Sequence, residues 1–292
     1  MSGPSSILRF APSPNGELHL GHAFSALFTK ATALRLGGRF LLRIEDTDQA
    51  RARPEFEAGI TEDLYWLGIA WDEPVRRQSE HFPAYAATLD TLRALGLLYP
   101  CFASRKEIAE AANRADPPLG HDPDGAPLYP GLHRGGDPDE AAARIAAGQP
   151  YALRLDMAKA LGLALRMNGG PLAFDSFDEA GTLTRIAASP ERWGDVVLSG
   201  KERPATYHLA VVTDDALQGV THVTRGMDLA AATDIHRLLQ VLLGLPAPLY
   251  CHHRLILDAS GRKLAKSQRD KSLRSLRAEG VIAAEIKRQL GF

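Results

Sequence analysis

Two groups of residues in this chain have the types and the spacing to handle a nucleoside triphosphate. The first is Ala11-Pro-Ser-Pro-Asn-Gly-Glu-Leu-His19-Leu-Gly-His22, and the second is Lys263-Leu-Ala-Lys266-Ser267. The first follows a short apolar run (Ile7, Leu8, Phe10) and opens a helical pattern at Phe24, Leu27, Phe28, Ala31 and Leu34, which Gly37-Gly38 stop. A strand, a turn and a helix N-terminus favour anions through free backbone N–H groups and the helix dipole. Imidazoles at His19 and His22 can add hydrogen bonds to phosphate oxygens, and Gly21 lets a nucleotide lie against the backbone. The pattern His-x-x-His is common on surfaces, and it lacks the glutamate and the spacing of a zinc-protease helix. A Lys-x-x-Lys pair alone reads as a solvated loop. Together the two groups outline a nucleoside-triphosphate site.

The elements that must position these groups read as α/β. Arg39–Ile44 is a strand pattern ending in the acidic Glu45-Asp46-Thr47-Asp48. A helix begins at Pro54 with Phe56, Ile60, Leu64 and Leu67 on one face, and another carries Phe82, Tyr85, Leu89, Leu92 and Leu95 up to Gly96. With Leu97–Cys101 as a further short strand, the repetition predicts a parallel sheet covered by helices. The texture then changes. Ser104-Arg-Lys-Glu107 is a capping box, 116–138 is a long loop dense in Pro, Gly and Asp, and Asp137, Pro138 and Glu140 start a helix. Tyr151–Leu155, Leu172–Phe177 and Gly194–Leu198 read as antiparallel strands. The α/β texture returns with a buried strand at Tyr207–Val212, Asp214-Asp215 as caps, a strand at Val220–Thr224 and a helix from Asp228 to Gly244. Leu249–His253 and Leu255–Leu257 lead through Asp258-Ala-Ser-Gly261 to the lysine motif, and two short helical patterns follow. The expected division is 1–100 and 201–245 as halves of one nucleotide-binding domain, 101–200 as an insertion, and 246–292 as the lysine loop and terminal helices.

Composition sets the class. The chain has 292 residues, 45% hydrophobic and 24% charged, which suits an ordinary globular protein with a sizeable core. No run is long enough for a membrane span, and no signal pattern opens the chain. Two cysteines make no disulfide framework, so a cytoplasmic location is expected. A net charge of −1 argues against indiscriminate nucleic-acid binding but not against a local basic face. A monomer is expected.

An acidic side chain calls for a guanidinium, which matches a carboxylate with two donors and stays charged. Arg9 and Arg225 each sit at the carboxyl edge of a strand, where open α/β sheets bind ligands. Glu45 closes another strand and can hold an ammonium; Ser13 and Tyr207 offer neutral hydrogen bonds.

The two motifs, read as His19-Leu-Gly-His22 and Lys263-Leu-Ala-Lys266-Ser267, resemble the HIGH and KMSKS signatures of class I aminoacyl-tRNA synthetases. Arg9-Phe-Ala-Pro-Ser-Pro and Arg43-Ile-Glu-Asp-Thr-Asp48 narrow the resemblance to the glutamyl branch. The resemblance implies a class I synthetase-type Rossmann nucleotide-binding domain with an α+β insertion and a short C-terminal helical segment. It implies ATP at His19, Gly21, His22, Lys263, Lys266 and Ser267, with the two histidines and two lysines catalytic and Mg²⁺ accompanying the ATP. It implies L-glutamate at Arg9, Ala11, Ser13, Glu45, Tyr207 and Arg225.

Little sequence follows Ser267, so no anticodon-binding domain is expected. In this the chain resembles the glutamyl-queuosine tRNA(Asp) synthetase family, which attaches glutamate to queuosine in the anticodon stem-loop of tRNA(Asp). Arg105, Lys106, Arg134 and Arg144 are candidates for phosphate contacts there. The alternatives are a minimal glutamyl-tRNA synthetase charging the 3′ end and a non-catalytic paralogue that binds tRNA or glutamate. Relatives often hold zinc through a Cys-x-Cys pair and a later Tyr-and-Cys segment. Here the pair reads Cys101-Phe-Ala103 and the segment Tyr129-Pro-Gly-Leu-His133, so Cys101 and Tyr129, with His121 or His133, are a remnant and the zinc is expected to be lost. Cys251 is expected to be a small buried residue.

Overall fold

Strand β1 (Ile7–Phe10), helix α1 (Leu20–Arg35) and strand β2 (Arg39–Ile44) form a parallel crossover unit, with Arg9 beside Leu41 in the register. The computed structural model describes residues 6–257 and 271–292, so Lys263, Lys266 and Ser267, and the turn at 258–261, lie outside the described residues. Helix α2 (Pro54–Trp66), with its proline in the first turn, leads to the short β3 (Arg76–Arg77), which extends the sheet parallel to β2. Helix α3 (Phe82–Ala94) follows.

Strand β4 (Leu98–Cys101) leaves that sheet. It pairs antiparallel with β5 (Ala152–Leu155), which pairs antiparallel with β8 (Val197–Ser199). Between β4 and β5 lie α4 (Arg105–Arg114) and α5 (Pro138–Ala146). Ser104 and Glu107 close the expected capping box at 3.2 and 2.7 Å, and Asp137 caps the second helix at 2.9 Å. The loop before α5 folds on itself around Asp122, whose carboxylate accepts from the N–H groups of Asp124 and Ala126.

Helix α6 (Met157–Asn168) was not anticipated. Its signals are Asp156 as cap and Gly169 in the left-handed region at φ 70°. Strand β6 (Ala173–Phe177) pairs antiparallel with β7 (Leu183–Ala187), a strand that was not among those expected, and β6 also pairs in parallel with β10 (Leu249–His253). They therefore join the large sheet rather than the small one. Strand β10 in turn runs parallel to β9 (His222–Gly226), giving the order β7-β6-β10-β9. Thr221 stitches β9 to β1: its N–H donates to the Ile7 carbonyl at 3.0 Å and its hydroxyl accepts from the Ile7 N–H at 2.8 Å.

The run expected as a strand at Tyr207–Val212 is helix α7 (Tyr207–Leu217), which is followed, after β9, by α8 (Thr233–Leu243). Leu209 to Val212 are all buried, so this helix shows no polar stripe, and a short all-apolar run does not distinguish a buried helix from a buried strand. Asp214 and Asp215 lie inside it and cap nothing. Helices α9 (Leu273–Ala278) and α10 (Ala283–Leu290) close the chain.

Alternation along the strands sorts the core. Leu8, Phe10, Phe40, Leu42 and Ile44 pack with Phe24, Leu27 and Phe28 of α1 and with Leu273, Ile286 and Leu290 of the terminal helices. Ile7 and Leu41 face the other way, with Val223 and Tyr250. A separate cluster holds α3, α6, α7 and α8 against β5 and β8.

Candidate active site

His19 is the N-cap of α1. Its Nδ1 accepts from the Gly21 N–H at 3.1 Å, and the Nδ1 of His22 accepts from the His19 N–H at 3.2 Å. Both rings therefore carry their proton on Nε2. The first-turn N–H of Gly21, expected to be available to an anion, is taken by this cap. The rings lie 3.9 Å apart, and a Cβ built on Gly21 would come within 2.9 Å of His19 Cε1. Glycine at 21 thus protects the ring of His19 as well as the space for a ligand. His19 also forms a bridge with Ser272, so the residues that follow 258–270 return beside it.

Arg9 and Arg43 share a face of the β1–β2 pair and meet α7. Asp215 accepts from Arg9 Nε at 2.9 Å and from Arg43 Nη1 at 2.7 Å. Asp214 accepts from Arg76 Nε, Gln78 Nε2 and the Tyr85 hydroxyl at 2.8 to 2.9 Å. Glu45 accepts from Arg43 Nη2 at 3.3 Å through Oε1, and Oε2 has no partner among the described residues. Three guanidinium groups thus face three carboxylates. Burial raises the Glu45 pKa, against the pull of Arg43 and Arg9; those two arginines hold Asp215 low in spite of its burial.

Arg225, at the end of β9, is different. It is 5% exposed and its four partners are neutral: Nη1 meets the Tyr207 hydroxyl at 3.2 Å and His236 Nδ1 at 3.1 Å, Nη2 meets Thr233 Oγ1 at 2.6 Å, and Nε meets His252 Nε2 at 3.2 Å. Burial, with the Arg225 charge second, lowers the pKa of His208 to about 4, of His252 to about 3, and of His236 well below its ordinary value. The rings stay neutral acceptors. Of the five guanidinium N–H groups, one on Nη2 has no partner among the described residues, and the Tyr207 O–H is also undirected. Two donors beside an uncompensated charge suit the two oxygens of a carboxylate.

These parts surround one cavity of about 570 Å³. Of the residues expected at the site, Arg9, Ala11, Ser13, His19, Gly21, His22, Glu45, Tyr207 and Arg225 all line it; the lysine motif lies outside the described residues. Asp228 and the segment His253 to Ile256 complete the lining.

Residues 7–286 match the family described as tRNA synthetases class I (E and Q), catalytic domain. The chain belongs to this class I synthetase family. It is 49% identical to the Glutamyl-Q tRNA(Asp) synthetase of Rhodobacter capsulatus over 289 residues, 98% of this chain and 100% of the relative. It is 36% identical to the Glutamate--tRNA ligase of Prochlorococcus marinus over 94% of this chain and 56% of that one. Among solved structures, the glutamate-tRNA synthetase of Elizabethkingia anophelis matches with a TM-score of 0.72 and 28% identity over 91% of this chain. The chain spans about half of that synthetase, 54% of its length.

A second cavity of about 590 Å³ shares Ser13, Asn15, Glu45 and Tyr207 with the first. It opens toward the small antiparallel sheet and the Asp122 loop of this synthetase-family chain, with Tyr129, Arg154 and Trp193 in its wall. Cys101, Tyr129 and His133 come together at its back. The thiol donates to the Tyr129 hydroxyl at 3.4 Å, and that hydroxyl accepts from the His133 N–H at 2.9 Å. His121 pairs instead with Pro127. Position 103 is alanine, so the cluster lacks the fourth donor of a tetrahedral zinc site, and its own hydrogen bonds occupy the donors it has. Among the described residues no group of three or more His, Cys, Asp and Glu is placed to hold a metal. Cys251 is buried in the sheet core.

The four basic candidates differ in what already holds them. Arg134 pairs with the buried Asp195 at 2.9 Å, Lys106 reaches Glu110 at 3.9 Å, and Arg144 reaches Glu140 at 3.7 Å and covers the Phe102 ring. Arg105 is exposed and lines the second cavity. Sequence reasoning gave Arg43 only as part of a motif and Asp214 and Asp215 only as caps, and it missed Thr233, His236 and His252. Only the identity of Asp214-Asp215 as adjacent acids inside an apolar run was a signal. No described helix is long and apolar enough to cross a membrane.

Proposed function

We propose that this chain joins L-glutamate to the α-phosphate of ATP and then transfers the glutamyl group to queuosine in the anticodon loop of tRNA(Asp). The observation that carries this reading is the 49% identity, over a relative's whole length, to a protein named Glutamyl-Q tRNA(Asp) synthetase. The site chemistry supports it. Arg225 and Tyr207 are donors for the side-chain carboxylate, and Glu45 Oε2 accepts the substrate ammonium, which in turn favours ionised Glu45. Arg9, Ala11 and Ser13 form the floor under the amino acid.

In the first step a carboxylate oxygen attacks the α-phosphorus and the bond to pyrophosphate breaks. His19 and His22 donate through Nε2–H to the phosphate oxygens as negative charge grows, and Gly21 keeps the nucleotide close. Lys263, Lys266 and Ser267 take the leaving pyrophosphate in this reading. Mg²⁺ is held mostly by phosphates and water. In the second step an acceptor hydroxyl, entering through the second cavity, attacks the activated carbonyl and AMP departs with the hydroxyl proton. The small sheet with α4 and α5 is the acceptor side, where Arg105, Lys106, Arg134 and Arg144 meet RNA phosphates. Zinc is lost, and the chain acts as a cytoplasmic monomer.

The test uses ¹⁴C-glutamate, ATP and tRNA(Asp) with and without queuosine. Label that requires queuosine and survives removal of the 3′ nucleotides is expected. A minimal charging enzyme, favoured by the likeness to Glutamate--tRNA ligases, would instead label tRNA(Glu) and lose the label with the 3′ adenosine.

A further inference from the structure

Arg225 is held from behind by His236, which in turn meets His208. His236 Nδ1 lies 3.1 Å from Arg225 Nη1, and His236 Nε2 lies 3.3 Å from His208 Nδ1. A guanidinium donates and never accepts, so His236 Nδ1 is the bare nitrogen and its proton sits on Nε2. That proton points at His208 Nδ1, which leaves the His208 proton on Nε2. Each ring therefore has a single tautomer, dictated by the arginine. Ring packing holds their planes: His236 lies 5.5 Å from Tyr207 and 5.4 Å from His208, and Trp193 meets His208 edge-on at 5.3 Å. His236 is 2% exposed.

Arg9 supplies the contrast. It lines the same cavity, yet its guanidinium is oriented by the carboxylate of Asp215, which also neutralises it. A carboxylate orients an arginine at the expense of its charge, whereas a neutral imidazole orients it and leaves the full charge for a ligand.

We propose that His236 and His208 are positioning residues, a two-imidazole relay that aims Arg225 at the side-chain carboxylate of the substrate without cancelling its charge. His208 also lines the second cavity, so the relay runs from the wall of that cavity to the carboxylate donor. The inference rests on the glutamate reading of the cavity.

Four variants test it: His236→Leu, His236→Gln, His208→Phe and His208→Gln. The readouts are KM for glutamate and for ATP in glutamate-dependent ATP–pyrophosphate exchange, with thermal melts of each variant. His236→Leu is expected to raise KM for glutamate about tenfold or more while KM for ATP stays within about twofold. The glutamine variant, whose carbonyl accepts and whose amide donates, is expected to restore most of the loss. His208→Phe, which orphans the His236 Nε2–H, is expected to raise the glutamate KM about threefold, with His208→Gln returning it. The relay is overturned if both KM values rise together, if each glutamine variant is as impaired as its apolar partner, or if the glutamate KM does not move. Should His236→Leu fail to fold, the His208 pair decides. A wild-type chain with no glutamate-dependent exchange overturns the glutamate reading and the relay with it; intact wild-type exchange with indifferent variants overturns the relay alone.

Discussion

Arg225 and Arg9 show how much a residue's partners decide its use. Both are arginines at strand ends in one cavity, but Arg9 is paired with Asp215 and Arg225 has hydroxyl and imidazole partners. Lysine at 225 would keep the charge yet could not span Thr233, His236 and His252 together, because its ammonium lacks the planar fork. Arg225→Lys is expected to lower kcat/KM for glutamate about a hundredfold in pyrophosphate exchange; a loss smaller than about tenfold would remove Arg225 as the carboxylate's partner. Gly21→Ala tests the other half of the site. Alanine is favoured over glycine in a helix by up to about 1 kcal/mol, so the melting temperature is expected to hold or rise. The added methyl, 2.9 Å from His19 Cε1, displaces that ring, and kcat is expected to fall about tenfold. A variant with unchanged kcat would show that the orientation of His19 does not matter to the reaction.

At the level of elements, α7 organises the sheet edge. Asp214 and Asp215 reach from it to Arg9 on β1, to Arg43 on β2, and to Arg76, Gln78 and Tyr85 beyond. Arg43 is fully buried and Asp215 gives its shortest ion pair, at 2.7 Å, with Glu45 at 3.3 Å and Asp214 at 4.0 Å behind it. Asp215→Asn is expected to destabilise the fold by about 3–5 kcal/mol in denaturant unfolding. A change under about 1 kcal/mol would mean that Glu45 and Asp214 suffice for Arg43. Helix α7 also marks where reading by pattern stops. Helix starts with a side-chain signature were legible: Ser104 with Glu107, and Asp137 with Pro138, cap as their types demand. Tyr207–Val212 was not, since a helix buried on every side has neither a stripe nor an alternation to betray it.

Across the whole molecule, the buried imidazoles set the response to acid. Unfolded, His208, His236 and His252 take protons near pH 6.5; folded, His208 waits until about 4 and His252 until about 3, with His236 also far below 6.5. Below pH 6.5 the unfolded chain therefore binds more protons, and stability falls as pH falls toward 4. Asp215, held low by Arg9 and Arg43, adds to the loss in stronger acid. Asp63 works the other way: burial pushes it up to about 6, so its contribution is present in acid and lost as pH rises through 6. Burial raises Glu45, Asp124 and Asp234 as it does Asp63, while His133, His222 and His253 are lowered together with the three rings around Arg225, so the imidazoles set the direction. The denaturant midpoint is expected to be lower at pH 5 than at pH 7, and a His252→Phe variant should show a shallower slope. Equal midpoints at the two pH values would mean the rings are already charged in the fold. Sequence by itself determined the residue types that phosphate and carboxylate chemistry require, their family, and a parallel sheet with an insertion, because motifs, caps and hydrophobic period act over short stretches of chain. Only the tertiary structure decided which arginine keeps its charge, which nitrogen of each histidine bears a proton, and that β6 belongs to the large sheet. Those outcomes depend on partners far apart in the chain, Arg9 with Asp215 and Arg225 with His252, and a hydrogen bond's direction exists only once both ends have met.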